Sequence, residues 1–218
     1  RMHALNTNRK WATEFNIEPS AAITCVKPSG TVSQLVDAAS GIHPRHSEYY
    51  IRTVRADKKD PLTMFMTDAG FPVEDENKKP ESTAVFSFPI KAPKGAITRH
   101  DMTAIEHLEI WKIYAEYWCE HKPSITVSVK EDEWLKVGAF VYENFDDMSG
   151  VSFLPMSEHI YEQAPYQDCT KEEYEALLKK MPDGIDWKSL SEYEGDDNTI
   201  SSQTLNCVGD FCEVVDLV

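Results

Sequence analysis

Between residues 105 and 154 the apolar positions change period repeatedly, and that alternation restricts the fold more than any other property of the chain. Ile105, Leu108, Trp111, Ala115 and Trp118 recur at steps of three and four, with Glu and Lys between them and Pro123 beyond the run, as in an amphipathic helix. Ile125, Val127 and Val129 then alternate in strand fashion. Residues 133–144 return to a helical period, with Trp134, Val137 and Val141 on one face, and residues 151–154 read as a further strand. Strand and helix in alternation predict an α/β arrangement, part of a barrel or sheet with helices packed outside. No linker-like segment, internal repeat or low-complexity stretch divides the chain, so one continuous domain is expected, with a cysteine-containing tail after it.

Local signals extend this reading. Residues 6–15 fit a helix end, 21–26 a short buried strand, and 33–39 a helical segment. Asp60 followed by Pro61 is an N-cap with proline at the first helical position, and Gly70 stands where a helix stops, which predicts a helix over 61–69. Residues 74–82 read as a charged surface loop, and 84–88 as a strand closed by Pro89. Thr170 to Glu173 is a capping box opening a helix to about residue 180, before Pro182.

With 218 residues and 41% hydrophobic content the chain can build a packed core. Its formal charge of -15 opposes extended contact with nucleic-acid phosphates or an anionic membrane surface, although a local nest of backbone N–H groups can still bind a small phosphorylated ligand. No apolar run approaches the roughly 18 residues of a membrane span, and the first residues carry no apolar signal segment. The five cysteines, Cys25, Cys119, Cys169, Cys207 and Cys212, are odd in number and unevenly spaced, which fits a reducing, cytoplasmic setting rather than a disulfide framework.

Two motifs can carry chemistry. Lys27-Pro28-Ser29-Gly30-Thr31-Val32-Ser33 follows the expected strand and precedes the expected helix. Pro28 fixes one dihedral and Gly30 permits a tight turn, so the N–H groups of Gly30, Thr31 and Val32 can converge, with the Ser29 and Thr31 hydroxyls beside them. On spacing alone the segment fits either an anion cradle or an ordinary strand-to-helix turn with hydroxyl caps. Cys207-Val208-Gly209-Asp210-Phe211-Cys212 places two thiols four residues apart near the end of the sequence, suited to a disulfide that opens by exchange, or to two structural thiols. A zinc site is not indicated, because neither a second cysteine pair nor a His pair at ligand spacing completes four ligands. His43-Pro44-Arg45-His46 lies close enough to the first motif to reach a ligand there, or to serve as loop residues. Cys25, Cys119 and Cys169 read as structural.

Taken together these residues resemble the catalytic subunit of ribonucleotide reductases, in particular the adenosylcobalamin-dependent class. The resemblance runs from residues 23–35 and 40–45 through Val85-Phe86-Ser87-Phe88-Pro89, residues 119–124, 141–145, 153–155 and 161–166 to the Cys207/Cys212 tail. It implies the C-terminal part of a ten-stranded α/β barrel over 1–200 and a redox-active tail over 201–218. It also implies that Pro28, Ser29, Gly30, Thr31, Val32 and Ser33 hold the phosphates of a ribonucleotide. Cys207 and Cys212 would carry reducing equivalents from a thioredoxin-like donor to the active site, where adenosylcobalamin generates a cysteine thiyl radical. None of the five cysteines lies in a context like that radical loop, so an upstream half of the same reductase is the expected partner, whether the chain is a split-gene product, the part downstream of an intervening element (an intein), or a fragment. The iron-dependent class also ends in a Cys-x4-Cys tail and is the alternative, although its loop reads Pro-Ser-Glu-Thr where this one reads Pro-Ser-Gly-Thr. A non-catalytic nucleotide- or partner-binding fragment is the alternative from another class.

Overall fold

A computed structural model describes residues 1–30, 32–156 and 162–195, together with the backbone of 207–208 and 211–212. In chain order the elements are α1 (Met2–Phe15), α2 (Val32–Leu35), β1 (Tyr49–Asp57), α3 (Pro61–Asp68), β2 (Val73–Asp75), β3 (Thr83–Lys91), α4 (Ala104–Tyr117) and β4 (Ile125–Val129). They continue with α5 (Trp134–Glu143), β5 (Val151–Pro155), β6 (Tyr166–Asp168), α6 (Lys171–Leu178), a 3-10 turn at Trp187–Ser189, α7 (Leu190–Tyr193), β7 (Cys207–Val208) and β8 (Phe211–Cys212). The chain gathers into two compact units, each assembled from discontinuous stretches. Because each unit draws on two separate stretches, no linker between consecutive segments marks the division.

The first unit comprises Arg1–Arg45 and Ile97–Glu158. Its centre is the parallel pair β4–β5, in register from Ile125 opposite Val151 to Val129 opposite Pro155, with α5 as the crossover that parallel strands require. Ile125, Val127 and Val129 pack with Leu108 and Trp111 of α4 and with Val137 and Phe140 of α5. The Trp111 indole N–H meets the Pro123 carbonyl at 3.1 Å, so this large ring is buried without an orphaned donor. α4 begins with a full capping box between Thr103 and Glu106. The buried Glu133 carboxylate accepts from the Ala104 N–H at 3.1 Å and the Lys130 N–H at 2.9 Å, tying the start of α4 to the start of α5.

Two expectations in this unit are corrected. Residues 21–26 lie extended but form no ladder among the described residues. Their backbone partners include the carboxylate of Glu120, the N–H groups of Glu120 and His121, and the indole N–H of Trp118. The helix expected over 33–39 is a single turn, α2, because Asp37 turns into the left-handed region at φ 49°.

The second unit comprises His46–Ala96 and His159–Val218. It contains an antiparallel sheet in the order β2-β3-β1-β6. Phe71, Ala84 and Phe86 form its core cluster, flanked by Phe88, Met181 and Ile185. α3 is capped as the sequence predicts, the Asp60 carboxylate accepting the Leu62 N–H at 2.8 Å and Gly70 turning at φ 84°. α6 opens with the Thr170–Glu173 capping box. Pro89 does not end β3, which runs on to Lys91. The Ser87 N–H points to the Pro72 carbonyl at 3.0 Å, away from β1, and the alternation of a strand sends the position of Pro89 the same way. β2 pairs only with residues 84–86 of β3, so no ladder bond is lost at the proline.

Trp111 is 1% exposed at the centre of the first core. Trp111→Ala is therefore expected to cost about 3–5 kcal/mol. The check is the shift in midpoint of urea unfolding followed by far-UV circular dichroism.

Candidate functional site

The turn after residue 26 is folded against the segment that follows it. The Ser29 N–H donates to the Ser40 hydroxyl at 2.7 Å. The Ser33 N–H donates to the Ser29 hydroxyl oxygen at 3.0 Å, and the Ser33 hydroxyl donates back to the Ser29 carbonyl. This reciprocal pair closes Pro28–Ser33 into a compact loop entering α2. Thr31 lies outside the described residues. Lys27 is turned aside, its ammonium bonded to the Lys122 carbonyl at 3.1 Å and the Ser124 hydroxyl at 2.8 Å.

Gly41 is the residue that lets the two segments approach. Its φ is +59°, and a Cβ there would stand 2.9 Å from the Lys27 carbonyl oxygen. Next to it, the His43 imidazole bridges two backbones. Nε2 accepts the Thr126 N–H of β4 at 2.9 Å, so the proton resides on Nδ1, which donates to the Ser40 carbonyl at 2.7 Å. His43 thus pins the loop to the parallel pair. Arg45, 5% exposed, closes the other side: its guanidinium binds both the carboxylate and the carbonyl of Asp37. The bonds that His43 and Arg45 make therefore hold the shape of the loop. Behind them the ring of His107 meets His43 edge-on, with centroids 5.4 Å apart. Burial, and secondarily the neighbouring His43, push the His107 pKa down to about 4, against a bond to the Ile42 backbone that pulls the other way. Its Nε2 is buried without a hydrogen-bond partner among the described residues.

Ser40, Gly41 and Glu120 lie within the stretches that carry the family resemblance, but composition and spacing assign none of them a role. The glycine after a small residue was the signal available for the close approach. Glu120 binds the Ile23 N–H at 3.0 Å and the Thr24 N–H at 3.3 Å, and these bonds, Ile23 foremost, hold its carboxyl below the usual range.

The two tail cysteines are directly opposite each other in the register of β7 and β8, Cys207 facing Cys212 and Val208 facing Phe211. Opposed antiparallel residues have Cα atoms about 4.5–5.5 Å apart, within the span of a disulfide. The side chains of this pair lie outside the described residues. In the second unit, the rings of His46, Tyr50 and Tyr166 cluster with centroids 5.4–5.9 Å apart, and His46 Nε2 lies 3.1 Å from an Asp168 carboxylate oxygen. Gln163 there, at φ 57°, straps the loop before β6 to β2 through Glu74 at 2.9 Å and the Asp75 carbonyl at 2.7 Å. Among the described residues no group of three or more His, Cys, Asp or Glu could hold a metal ion, and no helix is long and apolar enough to cross a membrane.

No family model matches the chain. It is 32% identical over 199 residues to the adenosylcobalamin-dependent ribonucleoside-triphosphate reductase of Euglena gracilis, covering 90% of this chain and 27% of that protein. It is 32% identical over 192 residues to a probable reductase of the same description from Dictyostelium discoideum, covering 84% and 24%. A crystal structure of a B-12 dependent (class II) ribonucleotide reductase superposes with a TM-score of 0.71 at 24% identity, over 88% of this chain and 27% of that one. The fold is thus the one present in that stretch of the reductase, and the chain spans about a quarter of the length of the relatives it matches.

Two outcomes follow from this geometry. Gly41→Ala forces a side chain into the left-handed region and against the Lys27 carbonyl, at a cost of at least about 1–2 kcal/mol, read as a lowered thermal midpoint. The unfolded chain takes up a proton at His107 near pH 6.5 and the folded chain only near pH 4. Stability from this residue is therefore complete above about pH 6.5 and lost between there and pH 4, by up to about 3 kcal/mol. Urea midpoints measured across that window should lose most of this slope in His107→Gln.

Proposed function

The chain belongs to the adenosylcobalamin-dependent ribonucleotide reductases, and from that membership we propose that it supplies the substrate-phosphate loop and the tail dithiol of an enzyme converting ribonucleotides to deoxyribonucleotides. The observation that carries the proposal is the loop Pro28–Ser33, closed by the Ser29–Ser33 bonds and set on β4 through His43. The amides of Gly30, Thr31 and Val32 and the hydroxyls of Ser29 and Thr31 are assigned to the phosphates. α2 is one turn long, so its dipole contributes little, and binding would rest on these N–H and O–H donors. A ribonucleoside triphosphate is the inferred substrate, the class for which the relatives are named.

Adenosylcobalamin is the inferred cofactor of the assembled enzyme, where it would supply the radical that activates a cysteine. No residue of this stretch is assigned to the cofactor. Cys207 and Cys212 would close to a disulfide after each turnover and be reopened by a thioredoxin-like donor. The radical cysteine and the local reducing pair would come from the upstream half of the reductase. Leu135 at 90% and Tyr142 at 87% exposure, two turns apart on α5, are apolar surface of the kind such a partner would cover. A cytoplasmic location fits a dithiol kept in exchange with thiol reductants.

The deciding assay is deoxyribonucleotide formation with adenosylcobalamin and a dithiol, with and without the matching upstream polypeptide. Turnover only in the mixture is expected, and its absence with intact partner and cofactor would count against the proposal. In the assembled enzyme, Cys207→Ser or Cys212→Ser should abolish turnover driven by a protein reductant while sparing turnover driven by a small dithiol. Ser29→Ala should raise the substrate Kd by the equivalent of about 1–3 kcal/mol, measured by equilibrium binding.

A further inference from the structure

Cys25 and Cys119 have no part in the function proposed above, yet the fold brings them together. The Glu120 and His121 N–H groups both donate to the Thr24 carbonyl, at 2.8 and 3.2 Å. The Thr24 hydroxyl binds the Trp118 carbonyl, and the Trp118 indole N–H reaches the Cys25 carbonyl at 3.4 Å. Residues 24–25 are thereby fastened to 118–121 from both sides. Within this clasp the Cys25 sulfur lies 3.8 Å from the His121 carbonyl oxygen, and the Cys119 sulfur rests against the Val26 N–H and the Cys25 thiol. Both thiols are free, Cys25 half-buried and Cys119 buried.

We propose that Cys25 and Cys119 form a dithiol modification site that closes to a disulfide with a small-molecule disulfide as oxidant. The more exposed Cys25 attacks first, as a thiolate: its sulfur bonds to one sulfur of the oxidant, the oxidant's S–S bond breaks, and one small thiolate leaves and takes a proton. Cys119 then gives its proton to solvent and attacks the Cys25 sulfur, expelling the second small thiol. The protein loses two electrons and two protons, and the oxidant is recovered as two thiols. Burial pushes the Cys119 thiol up, which makes it the slow, resolving partner rather than the entry point. Cys169 is the internal contrast. Burial, Glu173 and Asp168 push it up to about 11, which leaves it little thiolate at neutral pH. Closure would fasten the segment running into the Pro28–Ser33 loop covalently to the end of α4, where it is now held by hydrogen bonds alone.

The test uses the full chain, incubated with oxidised glutathione, quenched with N-ethylmaleimide and digested without reduction. The expected result is a Cys25–Cys119 linked peptide as the dominant cross-link outside the tail, with Cys169 alkylated. Cys119→Ser should halt at a glutathione adduct on Cys25, and Cys25→Ser should leave Cys119 free. Accumulation of the Cys25 adduct with Cys119 unlinked in the unsubstituted chain would overturn the proposal. A second measurement needs neither substitution nor oxidation. Phenylarsine oxide, which bridges adjacent thiols, should protect Cys25 and Cys119 together from alkylation, whereas protection confined to Cys207 and Cys212 would show that the first two thiols do not act as a pair.

Discussion

One neutral imidazole joins the turn to the body of the first unit. His43 takes the Thr126 N–H on one nitrogen and gives its proton to the Ser40 carbonyl with the other. That arrangement works in one protonation state only: a second proton would set N–H against N–H at β4. The pairing also sets what can lie behind it, because His107 packs edge-on against His43 and would meet like charge if both rings were protonated. With Ser40 fixed in this way, its hydroxyl can receive the Ser29 N–H, and Gly41 can pass under the Lys27 carbonyl. The loop geometry is thus the far end of a chain of backbone positions anchored in the parallel pair.

Much of this was legible where local chemistry and long-range packing agree. Thr170 with Glu173, and Asp60 with Pro61 and Gly70, mark helices whose ends are set within a few residues, and α4 follows its three-and-four spacing. β1 was not foreseen because its buried positions include Arg52 beside Tyr50 and Thr53. The Arg52 guanidinium lies over the Tyr166 ring at 4.4 Å and donates to the Pro165 carbonyl at 3.0 Å. A buried cation breaks the alternation that announces a strand. β2 is exposed along its length and carries no pattern at all. Residues 21–26 show the reverse case: β-type composition does announce an extended chain, but not what that chain binds. Here a side-chain carboxylate and a turn take the place of a neighbouring strand.

The motifs that carry the family resemblance divide by what their backbone and side chains bind. Ser29 and Ser33 shape a loop with donors to offer, whereas Gln163, Ala164 and Pro165 serve as backbone acceptors for Arg55, Thr53 and Arg52. Cys25 and Cys119 belong to neither group when read singly, and only the clasp between Thr24 and Glu120 puts them side by side.

The strand order of the second unit also sets a schedule for biosynthesis. β1 is flanked by β3 and β6, and Arg52 meets its Pro165 acceptor across 113 positions of chain. At a translation rate of about 5–20 residues per second, one margin of β1 waits roughly 6–23 seconds on the ribosome before its mate is made. During that interval a row of unpaired amides and carbonyls, with Tyr50 and Arg52 still uncovered, is open to other nascent chains and to chaperones.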